Sequence, residues 1–338
     1  MTAIRRLLVT TATAALIAGS AHGQDHRVYA SNEYDANISV IDPATGAQTG
    51  TIRISGRPGD VRPRGMAVSP DGRTLYVSVS DFLPQTETPE DAIVAIDVAT
   101  NAVKRSYRAG GNPERVAISP DGKQIWAALE ATAQAVGIDA ETGEQLGIFQ
   151  TGVETEGVGV SPDGRFVYVT AETSHTVTVI DTQSMSVVTH LLVGNRPRDV
   201  IFAPDGKRAY VSAEIGGTIS VIDVGSHEVV GTVNLGLDSR PVEMVLSPDG
   251  KTLYVAGGGT SAVYVVDTAS QKVTTVIKEK MGRRPWGIAM SPDGAHLYTA
   301  NGLSDSVSVI DTATGGVVSQ IAAGRGAHSV EVGVVDAN

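Results

Sequence analysis

Arginine, glutamate, tryptophan and histidine recur at one offset in this 338-residue chain, immediately after a proline or the residue that replaces it. The series Arg64, Glu114, Glu156, Arg198, Val242, Trp286 and His328 follows Pro63, Pro113, Thr155, Pro197, Pro241, Pro285 and Ala327. One residue before those positions stand Arg62, Asn112, Glu154, Arg196, Arg240, Arg284 and Gly326. A second series, Glu33, Glu130, Glu172 and Glu214, lies four residues after Tyr29, Trp126, Tyr168 and Tyr210. A guanidinium holds a carboxylate through paired hydrogen bonds, an indole face stacks on planar groups or anchors an interface, and a histidine titrates near neutrality. Brought together, such groups make a binding site for a carboxylate-bearing partner. With Arg64, Arg198 or Arg284 on a carboxylate and His328 or Glu156 as the acid–base group, they would also suit general acid–base chemistry on such a ligand. The structural alternative is that the charges pair with one another and hold neighbouring elements, as exposed ion pairs commonly do. There is no GxSxG nucleophile motif, and no two of the histidines have metal-ligand spacing, so neither a catalytic residue nor a metal site is assigned.

What positions these residues is a repeat. Ser-Pro-Asp-Gly stands at Ser69, Ser119, Ser161, Ser247 and Ser291, with Ala203-Pro204-Asp205-Gly206 in the one gap. Alternating with it, an apolar pair is followed by aspartate at Asp42, Asp97, Asp139, Asp181, Asp223, Asp267 and Asp311, spaced by 55, 42, 42, 42, 44 and 44 residues. In both motifs the residue types are those of β-turns: proline presets φ, aspartate bonds its own backbone, and glycine takes the left-handed position. Four short apolar, β-branched strands surround each pair of turns, and four antiparallel strands in a unit of this length make a propeller blade. We expect an all-β, seven-bladed β-propeller of four-stranded blades. Small residues at Gly65, Ala67, Gly157, Gly159, Gly287 and Ala289 suit strands that converge on an axis. The chain enters at a second strand, His-Arg-Val-Tyr-Ala-Ser from His26, and ends on residues 326–332, which resemble a first strand. The C-terminal strand is therefore expected to complete the N-terminal blade and remove the ring's exposed edges.

In a four-stranded meander the connections alternate between two faces. Both turn motifs fall on one face, which repeats with little variation. The opposite face receives the variable residues above, the insertion between Asp81 and Asp91, and the extension from Lys278 to Arg283. Loops on a rigid scaffold are the usual seat of binding. Trp126 and the tyrosines that share its position are expected in the core.

The N-terminus reads as a secretory signal: Arg5-Arg6, an apolar run from Leu7 to Ala18, then small residues to Gly23. The expected domains are a signal segment, 1–23, cleaved after Gly23, and one propeller, 24–338, in the periplasm or secreted. The run is too short to span a bilayer. Arg5 and Arg6 removed, 24 basic residues face 37 acidic ones, which argues against nucleic acid or anionic lipid as a partner. No cysteine is present, which excludes disulfides, CxxCH haem and thiolate metal sites.

The lines RPRGMAVSPDGRTLYVS and HTVTVIDTQSMSVV resemble the YVTN-repeat β-propeller family, and RPRDVIFAPDGKRAYVSAEIGGTISVIDV is similar to the central blades of its periplasmic members. Those members occur alongside transport genes and pyrroloquinoline quinone (PQQ)-dependent alcohol oxidation. The resemblance implies an accessory binding or scaffold protein that holds a periplasmic protein or a small acidic ligand, as a monomer, with no cofactor of its own. Related seven-bladed propellers that act on lactones keep the enzymatic alternative open. The adjacent cysteines and Trp-rich blades of quinoprotein propellers are missing, so the chain is not expected to carry the quinone itself.

Overall fold

The structure is a computed structural model that describes residues 26–54, 61–81 and 91–335. The expected signal segment and nearly all of the 81–91 insertion lie outside these residues. Twenty-eight strands form seven four-stranded antiparallel sheets, each a meander. Blades II to VII take residues 61–108, 113–150, 155–192, 197–234, 241–277 and 285–322. Blade I is composite: the C-terminal strand Ala327–Val334 lies innermost, beside His26–Asn32, Asn37–Asp42 and Ala47–Arg53. The expected closure is thus found, with Val28 opposite Val332 and Ala30 opposite Val330.

Local turn chemistry explains why the blades form. In the first Ser-Pro-Asp-Gly turn, Ser69 donates to Asp71 at 2.5 Å, the Arg73 amide donates to Asp71, and the Thr74 amide donates to Ser69 Oγ. Gly72 closes the turn onto the Ser69 carbonyl at φ 75°. These bonds favour the charged carboxylate, and the Asp71 carboxyl is held below its ordinary range by the serine hydroxyl first and the Arg73 amide second. Blade V has Ala203 in place of the serine and keeps only the amide bonds, Gly206 to Ala203 and Lys207 to Asp205. The second turn is organised by its leading aspartate, as where the Glu141 and Thr142 amides both donate to Asp139.

The core lies between blades rather than within one layer. Each cluster combines facing strands of two neighbours, as where Trp126, Ala128 and Phe149 of blade III pack on Val158, Val167 and Val169 of blade IV. Trp126, Tyr29, Tyr168 and Tyr298 are among the largest fully buried side chains, as expected of that position. Towards the axis the innermost strands meet backbone to backbone. A Cβ added to Gly157 would stand 2.5 Å from the Arg198 carbonyl oxygen, and one added to Gly287 would stand 2.7 Å from the Val330 amide nitrogen. At the rim, each outermost strand joins its neighbour through a register shift, for example between Val179 and Ile180 or Val221 and Ile222. Bulges of this kind twist an open edge away from further pairing. No helix among the described residues is long and apolar enough to cross a membrane.

Because the closing strand buries Ala327 and Val330 between the first and last blades, deleting residues 327–338 leaves blade I without its inner strand. The truncated chain is expected to lose more than about 3 kcal/mol of unfolding free energy, since each fully buried aliphatic side chain contributes about 1.5–3 kcal/mol. Urea unfolding checks this, with size-exclusion chromatography reporting association through the new edge; an unchanged midpoint would contradict ring closure by this strand.

Candidate functional site: a charged basin at the channel mouth

A backbone device repeated around the ring places the site residues. In blade III, Pro113 pairs with Leu129 and Arg115 with Ala128, so Glu114 is left over as a bulge. Arg198 is left over in the same way between Pro197 and Asp199, and Trp286 between Pro285 and Gly287. The inner strands of blades I, II, IV and VI shift register at the matching place. A bulge re-aims its extra side chain, here toward the mouth of the axial channel. In six of the seven blades the residue before the bulged pair adopts a left-handed backbone: φ is 60° at Asn112, 58° at Glu154, 58° at Arg196, 44° at Arg240, 56° at Arg284 and 68° at Gly326, whereas Arg62 of blade II pairs with Ser80 in the ladder. Its carbonyl accepts the amide at the end of the second strand, from Glu130, Glu172, Glu214, Gly258, Gly302 and Glu33 in the respective blades. One hydrogen bond therefore ties the linker to the strand end and brings the two charged series of the sequence together.

The result is a basin of about 470 Å³ lined by Arg62, Arg64, Arg196, Arg198, Arg240 and Arg284, by Glu33, Glu130, Glu156, Glu172 and Glu214, and by Tyr34, Trp286 and His328. Of the residues in the two proline-flanking series, Asn112, Glu114, Glu154, Val242 and Gly326 are not part of the lining; Glu114 is buried against Arg62 and Arg64. Two ion-pair groups stand in the basin. Arg64 reaches Glu33 at 2.9 Å and Glu114 at 2.5 Å, with Arg62 at 3.2 Å and 3.7 Å from the same pair. Across the mouth, Arg198 contacts Glu156 at 3.0 Å and pairs with Glu172, while Arg196 lies 2.9 Å from Glu172 and 3.2 Å from Glu214. Many of the expected binding residues thus bridge neighbouring blades. Burial outweighs the two arginines and raises the Glu114 carboxyl, with repulsion from Glu156 and Glu130 adding to the effect.

Not every group is consumed by pairing. Arg240 is exposed and has no ion-pair partner among the described residues, and Glu130 likewise has none. Arg284 is 3.7 Å from Glu214, its one ion pair there. The Trp286 ring stacks on His328, centroids 5.4 Å apart and planes at 21°, and the guanidiniums of Arg284 and Arg198 lie 4.4 Å and 5.0 Å from its centroid. His328 is 6 % exposed, and neither ring nitrogen has a hydrogen-bond partner. Burial first, then the charges of Arg64, Arg115, Arg198 and Arg62, hold its pKa well below the ordinary value, so the imidazole is neutral at physiological pH. His175 is placed differently: its Nδ1 accepts the Arg196 amide at 3.1 Å and props that linker.

Beneath the basin the channel is crossed by a charged bar. Arg115 of blade III spans to Glu243 of blade VI at 2.7 Å and lies 4.0 Å from Asp199 of blade V. Asp199 accepts the Met244 amide and Glu243 accepts the Ile288 amide, so the bar is fastened to two further strands. These residues were not singled out in the sequence. Their signal was the next position of the repeat, Gly65, Arg115, Gly157, Asp199, Glu243, Gly287 and Ser329, where three charged residues stand among residues too small to block them.

Burial raises the Glu243 carboxyl to about 7 and the Glu331 carboxyl, against the channel wall, to about 8, with Asp199 repelling Glu243 and Glu243 repelling Glu331. Both values exceed the unfolded one near 4.3, so the folded chain binds more protons across the interval. That stability is fully present below about pH 4.3 and is lost as pH rises through 7 and 8. Unfolding free energy is therefore expected to fall between pH 5 and pH 9, and Glu331→Gln is expected to flatten the decline. Chemical unfolding at stepped pH checks it; a stability that rises toward pH 9 would contradict it.

Two family models match parts of the chain: a seven-bladed β-propeller lactonase family over residues 181–329, and a YNCE-like β-propeller family over residues 82–245. No curated protein matches in sequence. Among solved structures, Kuenenia stuttgartiensis hydrazine synthase superposes with a TM-score of 0.71 at 21 % identity, covering 84 % of this chain and 97 % of that one. A candidate 6-phosphogluconolactonase from Bacteroides uniformis gives 0.72 at 17 %, covering 91 % and 100 %. Another from Bacteroides fragilis gives 0.71 at 18 %, covering 92 % and 98 %. Geometry and comparisons agree that the chain is a seven-bladed β-propeller, similar in part to the lactonase and YNCE-like families.

Proposed function

We propose that this protein is a binding propeller that holds a carboxylate in the mouth basin, without itself transforming it. The observation that carries this reading is the set Arg240, Arg284 and Trp286: a cation with no ion pair, a second cation with one long one, and an indole face beside them. Both arginines sit at left-handed φ, where the equivalent residue of blade I is glycine. Such a backbone costs a non-glycine residue about 1 kcal/mol; it is shared with Asn112, Glu154 and Arg196, so it positions these two arginines as part of the repeat. The cavity volume falls within the usual range for small-ligand sites.

Export is part of the proposal and rests on the signal-like residues 1–23; a place beside PQQ-dependent oxidation or transport rests on the repeat resemblance alone. A second reading is favoured by the lactonase match, whose span includes Arg196, Arg198, Arg284, Trp286 and His328. In that chemistry water adds to the lactone carbonyl, the ring C–O bond breaks, and the proton released by water reaches the leaving ring oxygen through neutral His328 or Glu156, with arginine holding the carboxylate.

Calorimetric titration of the exported chain with benzoate, gluconate and citrate, beside hydrolysis assays on gluconolactone and its 6-phosphate, separates the readings. Arg240→Gly and Trp286→Ala are each expected to weaken carboxylate binding about tenfold. Arg240→Gly is expected to keep or gain up to about 1 kcal/mol of stability, because glycine adopts that backbone freely. Lactone turnover lost on His328→Gln would replace the binding reading with the enzymatic one.

A further inference from the structure

Among the described residues, the large apolar side chains exposed on the mouth loops are Tyr34, Val153, Ile215, Leu237 and Leu303, each 49–72 % accessible. Their distribution is ordered. Val153 precedes the inner strand of blade IV, Ile215 follows the second strand of blade V, Leu237 precedes the inner strand of blade VI, Leu303 follows the second strand of blade VII, and Tyr34 follows the second strand of blade I. Five consecutive blades thus contribute one each, forming an arc around the basin. The remaining large exposed apolar residues lie on strands along the rim, and the turns of the opposite face have none among the described residues. Inside the arc stand the two underused cations, Arg240 and Arg284, and Arg283 is exposed beside Leu303, donating to its carbonyl. Arg and Trp at the centre of a surface are the residue types on which protein interfaces are anchored, and the apolar side chains around them can exclude water from that centre.

We propose that the mouth face docks a partner protein, which seats an acidic loop in the basin while apolar side chains flanking the acid rest on the arc. This inference rests on the carboxylate-binding reading and names what carries the carboxylate. A free organic acid would fill the basin and leave the arc uncovered. A protein loop uses both, and charge complementarity selects an acidic one. The arc is fixed by rigid strand ends: the Leu303 amide donates to the Arg283 carbonyl and the Tyr34 amide to the Arg325 carbonyl. Docking therefore needs little ordering of this chain, which lowers its entropic cost.

The probe is a phage-displayed library of short disulfide-looped peptides, panned on the purified exported protein. Selected loops are expected to carry Asp or Glu flanked by Leu, Ile, Phe or Tyr. Their affinity is expected to drop at least about tenfold with Leu237→Ser/Leu303→Ser, and by a similar factor with Arg240→Gly. Binding of benzoate, gluconate or citrate should fall with Arg240→Gly alone. All three sites are exposed, so the variants fold, which urea midpoints verify. Peptides indifferent to the serine pair, or lacking acidic residues, would overturn the docking proposal while leaving the basin reading in place. If Arg240→Gly changes neither peptide nor small-carboxylate binding, the basin reading falls and this proposal with it.

Discussion

In six of the seven blades a single linker carbonyl organises the mouth of this propeller. Held in a left-handed backbone and bonded to the amide at the end of the second strand, it fixes where the inner strand starts and forces the next residue out as a bulge. Without that bulge, Glu114, Arg198 and Trp286 would alternate with their neighbours in regular register, and Arg115, Asp199 and Gly287 would shift with them. The charged basin is thus a consequence of backbone geometry before it is one of charge.

Energetics then sort the residues. Arg198 with Glu156 and Glu172 forms buried pairs, and Arg64 with Glu33 and Glu114 partly buried ones, in which removing one partner leaves an uncompensated charge. Breaking such a pair costs about 3–5 kcal/mol, so these residues belong first to the scaffold that joins the blades. Arg240 and Arg284 cost backbone strain and receive little pairing in return, which is why the functional reading rests on them. Trp286 links the two groups, since its ring meets Arg198 of the scaffold, Arg284 of the open cations and neutral His328.

Much of this was legible in the residues. The spacing of the aspartate motifs and the truncated pattern at each end led to seven blades and the closing strand, because turn chemistry is local and tolerates few residue types. Aligning the repeats also brought the Arg, Glu, Trp and His positions to one mouth. The division between paired and open arginines was not legible: Arg196 and Arg240 occupy equivalent positions, and only the presence of Glu172 and Glu214 beside one separates them. Nor were the left-handed linkers, since a residue before proline is ordinarily extended. Gly326 and Asn112 at the matching positions were the available hint. The Arg115 bar escaped notice because each member looks like an ordinary strand substitution until the seven are compared at one level of the channel.

We propose that the face of Trp286 and its flanking arginines receive a carboxylate. The chain has two tryptophans, and Trp126 is fully buried, so fluorescence from Trp286 can be isolated by subtracting a Trp286→Phe variant. Titrating the protein with gluconate or benzoate should produce a saturable change in that difference signal, abolished by Arg240→Gly together with Arg284→Gly. A difference signal that stays flat to saturating carboxylate, in a protein whose unfolding midpoint is unchanged, would contradict it.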